Sequence, residues 1–127
     1  MQTTDVITVT TTKEFTVGQF WEAVFGCDGS GITYWSPKIR KQNGHGIDLW
    51  KTVNGELQPN PQDFKVWDSE ESKWHFVSLE ELRNGFELAL KAGETHCGGH
   101  PLDVEDYDSC FCDIVIQYAI FGKLIYG

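Results

Sequence analysis

Residues 107–127, YDSCFCDIVIQYAIFGKLIYG, form the longest apolar run in the chain and organise the rest of it. Acidic residues crowd the start of this run, where a helix needs a capping side chain and its dipole favours negative charge. Gly122 stands where the helical pattern stops, as a C-terminal cap would. Apolar residues recur every three or four positions, the spacing of one helix face: Tyr107, Phe111, Ile114, Val115, Tyr118 and Ala119. The run predicts a helix through the middle of the fold and an apolar tail packed back onto the core.

Composition limits the partners that this chain can have. Its 127 residues predict a single domain, and its net charge of −9 makes duplex nucleic acid and anionic membranes poor partners. No apolar run reaches the roughly 18 residues of a membrane span. The first residues lack the basic and apolar segments of a secretion signal, so we expect a soluble, cytoplasmic protein in which disulfides are not the default.

The remaining elements follow from local patterns along the chain. The alternation at residues 6–9 predicts a half-buried strand, with Ile7 and Val9 on one face. Two capping-box patterns, at residues 16–19 and 78–81, predict helices that end near Gly26 and Gly93. An extended stretch at 32–41 is expected to pair with a strand at 47–53, and segments 64–67 and 74–77 to form a second hairpin, before a loop at 94–102. The predicted class is α+β: an antiparallel sheet built from hairpins and packed with about three helices in two layers.

Two groups of reactive residues have a structural explanation that we favour over a catalytic one. The cysteines and histidines of residues 94–112 could bind zinc, but the Cys-x-Cys spacing is poor; they are His96, Cys97, His100, Cys110 and Cys112. A Cys97–His pair could act as nucleophile and base, but nothing in the sequence orients the histidine. Asp103, Glu105, Asp106 and Asp108 could bind a cation, although a solvated helix start explains them more simply. No phosphate loop or dinucleotide fingerprint is present, so we expect no enzyme, no cofactor and no metal site.

The favoured candidate for a binding site is an aromatic and basic face on the extended stretch. If residues 32–41 form a strand, Tyr34, Ser36, Lys38 and Arg40 point to the same side. Arginine suits bidentate contact with phosphate, and aromatic rings stack on nucleotide bases. An exposed strand face with ordinary solubilising charges is the alternative explanation.

Two further segments carry a resemblance to a known family. Residues 31–35, GITYW, and residues 113–127, DIVIQYAIFGKLIYG, resemble the "GGINYW" and "DIVQYALFGEIVYG" motifs of small phage and prophage proteins. The VSLE of residues 77–80 stands where that family has an "LTLE" helix start. Ser30 and Lys123 depart from the family pattern, and the Cys-rich segment 94–112 has no counterpart in it.

This resemblance extends to the Thoeris anti-defence 1 proteins, and it implies a function. Such proteins sequester a cyclic ADP-ribose signal without cleaving it, as homodimers or higher oligomers that also take up cyclic oligonucleotides, inside an infected bacterium. The implied ligand is a cyclic nucleotide, and the hypothesised pocket residues are Tyr34, Trp35, Arg40, Trp74, Arg83 and Asn84. The alternatives are an acidic phage protein that inhibits a host defence protein by direct binding, and a metalloenzyme built on the Cys/His loop.

Overall fold

The computed structural model describes residues 2–8, 14–96 and 98–127, and within them it confirms the α+β class. Three helices carry the core: α1 (Val17–Phe25), α2 (Leu79–Lys91) and α3 (Ser109–Phe121). The strands are β1 (Val6–Thr8), β2 (Glu14–Thr16), β3 (Ile39–Lys41), β4 (Trp50–Val53), β5 (Glu56–Pro59), β6 (Phe64–Asp68), β7 (Lys73–Val77), β8 (Thr95–His96) and β9 (His100–Pro101). They form four small antiparallel sheets, ordered β1-β2, β3-β6-β7, β4-β5 and β8-β9.

Local capping chemistry sets the helix ends as predicted. The Thr16 and Ser78 hydroxyls accept hydrogen bonds from the backbone N–H groups three residues on, and both capping boxes are complete. Asp108 caps α3 by accepting hydrogen bonds from two backbone N–H groups, so the helix begins at Ser109, and Tyr107, which was predicted on the helix face, lies before it. Gly122 ends α3 with φ of +71°, a conformation that glycine adopts without strain.

Two predictions for residues 32–59 are wrong. Residues 30–32 form a 3-10 turn, and the only strand within 32–41 is β3. Strand β3 pairs with β6, so it joins the predicted second hairpin instead of pairing with 47–53. Strand β4 instead pairs with β5 through a turn at Asn54 and Gly55, with φ of +51° and +81°.

The core is built where α2 crosses α3. Gly85 allows this close approach, because a Cβ there would lie 2.5 Å from the backbone nitrogen of Ala119. Phe86 packs on α1 through Phe20, with ring centroids 5.4 Å apart, and reaches Phe111 of α3 at the same distance. No helix in the described part of the chain is long and apolar enough to cross a lipid bilayer.

The N-terminal strand and the Cys/His region differ in detail from the predictions. Ile7 is buried as predicted, whereas Val9 lies outside the described residues. The predicted loop 94–102 contains the two-residue strands β8 and β9. Cys110 takes part in a disulfide, contrary to expectation, and Cys27 and Cys112 are free. Burial raises the pKa of the Cys112 thiol, which makes it an inert core residue.

Candidate functional site: the outer face of a three-stranded sheet

The sheet β3-β6-β7 has one face toward the core and one toward solvent. Side chains alternate between the two faces, and on β6 Phe64, Val66 and Asp68 are buried while the residues between them are only half-buried. The pairing register places Arg40 beside Lys65 and Lys65 beside Phe76, and it places Trp67 beside Trp74. We define the outer face as these five residues: Arg40, Lys65, Trp67, Trp74 and Phe76.

Aromatic rings and a lysine contact one another across this outer face. The Lys65 Nζ lies 4.6 Å from the Trp74 ring centroid and 5.6 Å from that of Phe76. The Trp67 and Trp74 rings meet edge to face, with centroids 5.3 Å apart. Phe76 is 56% exposed, which is unusual for so large an apolar side chain on a sheet. The face therefore presents flat π surfaces together with a cation.

Arg40 adds a second cation to the outer face. Its Nη1 donates a hydrogen bond to the Ile39 carbonyl oxygen at 2.9 Å, which holds the half-buried side chain against the sheet. Within the described ranges, neither Arg40 nor Lys65 forms an ion pair with a carboxylate. Two uncompensated cations on one small surface stand out in a chain of net charge −9.

The structure places Tyr34 and Trp35 elsewhere, on the start of α3. Trp35 is 1% exposed, and its indole N–H donates to Asp113 Oδ1 at 2.9 Å. Tyr34 donates its hydroxyl to Asp113 Oδ2 at 2.6 Å, and burial together with that carboxylate raises its pKa. Ser36 is buried as well. The predicted face of Tyr34, Ser36, Lys38 and Arg40 is therefore wrong, because residues 30–35 form turns instead of a strand, with Tyr34 54% exposed and Ser36 buried.

Gln117 joins these aromatic residues to the C-terminal tail. Its Oε1 accepts hydrogen bonds from the backbone N–H groups of Ile125 and Tyr126, both at 2.9 Å. Its Nε2 donates to Asp113 Oδ1 at 2.8 Å and to the Tyr126 carbonyl oxygen at 3.1 Å. The Tyr126 ring stacks on Trp35 with centroids 5.2 Å apart. The two segments that carry the family resemblance thus meet in one structural network.

Arg83 and Asn84 form a third, separate group on α2. The Arg83 Nη2 lies 2.7 Å from Glu80 Oε1 and donates to the Asn84 side-chain oxygen at 2.8 Å, while Nη1 lies 3.6 Å from Glu87. The hydrogen bond that Arg83 donates to Glu80 raises the pKa of Arg83. This arginine already has carboxylate partners, so it is a weaker phosphate ligand than Arg40. No hydrogen bond, ion pair or ring contact in the described chain joins it to the outer face.

Asp68, Glu71 and His75 are the one group of three potential metal ligands whose ligand atoms lie within 4.8 Å of one another in the described ranges. Asp68 is completely buried and accepts hydrogen bonds from His75 Nε2, the Tyr126 hydroxyl and the backbone N–H groups of residues 70 and 71. Burial acts to raise the pKa of Asp68, but these hydrogen bonds together lower it. The cluster is closed, since its central carboxylate already has its donors.

A cavity of about 470 Å³ lies between α1 and the β4-β5 hairpin. Its lining includes the carboxylates of Glu22 and Asp28 beside the rings and side chains of Trp50 and Leu57. The Trp50 indole N–H donates to Asp28 Oδ1 at 3.1 Å. The carboxylates make this cavity unsuitable for an anionic ligand.

The outer face keeps two of the six hypothesised residues, Arg40 and Trp74, and adds three that the sequence reasoning missed. A signal for the missed residues was present in the sequence. In the predicted hairpin, Lys65, Trp67 and Phe76 alternate with positions that face the core, so they share the opposite face. No protein-family model, curated protein or solved structure matches the chain.

Proposed function

We propose that this protein binds and sequesters an anionic nucleotide, a cyclic ADP-ribose type of immune signal, on its outer face. The observation that carries the proposal is the pairing of Arg40 and Lys65, which lack carboxylate partners in the described chain, with exposed π surfaces on one sheet. Phosphate oxygens suit the two cations, and a base suits stacking on Trp67, Trp74 or Phe76. The resemblance to phage anti-defence proteins favours the same ligand class.

The chemistry of the outer face supports holding over cleavage. Four of the five residues of the outer face are arginine, tryptophan or phenylalanine, which do not serve as general acids or bases near neutral pH, and Lys65 is the one side chain there that can transfer a proton. A sequestering protein needs affinity and no catalytic group. We therefore expect the protein to release the ligand chemically intact, whereas an enzyme would release a product.

An open sheet covers only one side of a ligand, and this favours a homodimer or higher oligomer. A second copy placed over the outer face would exclude water from the ligand and bury Phe76. We expect oligomerisation and ligand affinity to fall together when Phe76 is changed.

A second candidate, an inhibitor that binds a host defence protein, is favoured by the net charge of −9. An acidic surface can compete with nucleic acid for a basic partner. Such binding weakens steeply as salt rises, whereas stacking in a nucleotide site weakens less.

Titration calorimetry with cyclic ADP-ribose isomers, cyclic di- and trinucleotides, NAD and ATP tests the proposal. Lys65→Gln and Arg40→Gln should each weaken binding of the responding nucleotide by about tenfold or more, the scale of a lost charge-assisted hydrogen bond. Lys51→Gln is the matched control, because Lys51 is exposed on β4. Arg83→Gln should have little effect.

Recovery of the ligand by heating the complex separates the sponge from an enzyme. Intact nucleotide after prolonged incubation supports sequestration, and turnover contradicts it. If the Lys65 and Arg40 variants bind the nucleotide with the affinity of the parent protein, the assignment to the outer face is wrong. If no nucleotide binds, the proposal is contradicted and a host-protein target is favoured.

A further inference from the structure

A second group of polar side chains lies at the β8-β9 hairpin, next to the start of α3. His96 and His100 are a cross-strand pair, and their rings face each other with centroids 5.5 Å apart. Asp106 Oδ2 lies 3.8 Å from His96 Nε2 and 3.6 Å from His100 Nδ1. Two imidazoles and a carboxylate thus lie close together at the β8-β9 hairpin, outside the outer face.

His96 has a buried nitrogen without a partner. The residue is only 5% exposed, and among the described residues Nε2 has no hydrogen-bond partner. On the other side of the ring, Nδ1 lies 3.2 Å from Asp108 Oδ2. A neutral ring that donates from Nδ1 to this carboxylate has a lone pair on Nε2. A carboxylate behind a histidine is the arrangement that orients histidine ligands of metals.

The distances fit a shared ion better than they fit hydrogen bonds. Separations of 3.8 and 3.6 Å exceed a good N–H···O distance. In a tetrahedral site, ligand atoms that each lie about 2.0–2.2 Å from zinc are about 3.3–3.6 Å apart. The 3.6 Å pair has this separation, and the 3.8 Å pair needs a small approach of the exposed Asp106 side chain. The third pair of ligand atoms is His96 Nε2 and a nitrogen of His100, and the His100 ring must turn toward His96 to bring these two atoms close enough to share an ion. That side chain is 61% exposed.

We propose that His96 Nε2, His100 and Asp106 bind one Zn²⁺, with Asp108 orienting His96. The group Asp68, Glu71 and His75 is more compact, yet its buried carboxylate already accepts hydrogen bonds from its neighbours. In the proposed site, by contrast, the buried His96 Nε2 has no hydrogen-bond partner among the described residues. Zinc there ties the β8-β9 hairpin to the segment that leads into α3, independently of nucleotide binding.

Zinc binding to the purified chain, dialysed against a weak chelator, tests the proposal by elemental analysis and calorimetry. We expect about one zinc per chain, the stoichiometry of a single tetrahedral site. His100→Gln and Asp106→Asn, both at exposed side chains, should each lower zinc affinity by about tenfold or more. Neither exposed substitution should prevent folding, which circular dichroism checks.

Three control variants separate this site from other zinc-binding groups. His45→Gln changes an exposed histidine elsewhere, Glu71→Gln changes the closed cluster, and Cys27→Ser removes an exposed thiol. All three should bind zinc as the parent does. Absence of zinc binding, unchanged affinity in both His100→Gln and Asp106→Asn, or loss of zinc in the Glu71→Gln variant would each overturn the proposal.

Discussion

The two faces of strand β6 each carry a charged side chain, but among the described residues only the charge on the inner face has hydrogen-bonding partners of its own. On the inner face, Asp68 is fully buried and receives hydrogen bonds from His75 and Tyr126. On the outer face, Lys65 has no carboxylate partner in the described chain and lies over the Trp74 ring. Completed polar groups hold a fold together, whereas uncompensated ones are available to a ligand. The contrast separates side chains that stabilise the fold from those that we propose bind a ligand, and variants on both faces test it.

The largest effect is expected for Gln117→Met, which keeps the volume of a fully buried side chain and removes its amide. The part-buried backbone N–H groups of Ile125 and Tyr126 lose their acceptor, the Asp113 carboxylate and the Tyr126 carbonyl oxygen lose a donor, and an unsatisfied buried group costs about 1–3 kcal/mol. We expect the free energy of unfolding to fall by about 3 kcal/mol or more, measured by urea denaturation. Gln58→Met, on strand β5, is the control and should cost less than about 0.5 kcal/mol. Equal stability of the two variants would show that Gln117 does not anchor the tail.

A smaller effect is expected for Tyr126→Phe, which removes the hydroxyl that donates to both oxygens of Asp68 at 2.9 Å. The loss should be about 1–2 kcal/mol, within the range of hydrogen bonds to charged groups. Burial and the hydrogen bond to Asp68 raise the pKa of Tyr126 from 10.0 to about 12. A raised pKa stabilises the protein below the unfolded value, so this contribution disappears as pH rises from 10.0 to about 12.

Denaturation at several pH values checks the sign of this linkage. The parent should lose stability more steeply than the Tyr126→Phe variant between those two values. Tyr34 titrates in the same direction because its pKa is also raised, so the variant should keep part of the slope. Parallel pH profiles for the two proteins would be inconsistent with the Tyr126–Asp68 contact.

The smallest effect is expected on the outer face, at Phe76→Thr. Phe76 is 56% exposed, and threonine suits a strand, so the free energy of unfolding should change by less than about 0.5 kcal/mol. The matched control is Val77→Thr, one residue along the same strand but completely buried. That nearly isosteric change buries a hydroxyl and should cost about 1–3 kcal/mol. Similar losses at the two positions would remove the distinction between the faces.

Local chemistry explains which structural predictions succeeded. A capping box is complete within four residues, so Thr16 with Gln19 and Ser78 with Glu81 were recognisable without the fold. The same is true of the Gly122 cap and of the hairpin β6-β7, where the alternation of side chains spans both strands.

Residues 32–36 were mispredicted because tertiary contacts override their strand propensity. The Trp35 indole is stabilised by Asp113 and by stacking on Tyr126, partners 78 and 91 positions away in the chain. The candidate site was only partly predictable for the same reason. Arg40 and Trp74 were recognised individually, yet only the β3-β6 pairing places Arg40 beside Lys65 on a common face.

Periodicity and contacts between near neighbours were enough to predict the α+β class, the helix ends and the apolar C-terminal helix. Which polar groups have hydrogen-bond partners depends instead on the folded arrangement of distant segments. Asp113 and Gln117 lie in the same helix as apolar neighbours, and nothing local reveals that they hold Trp35 and the tail. Burial and partner choice depend on segments distant in sequence, so the division of β6 into a buried face and the outer face that we propose binds a ligand emerges only when the chain is folded.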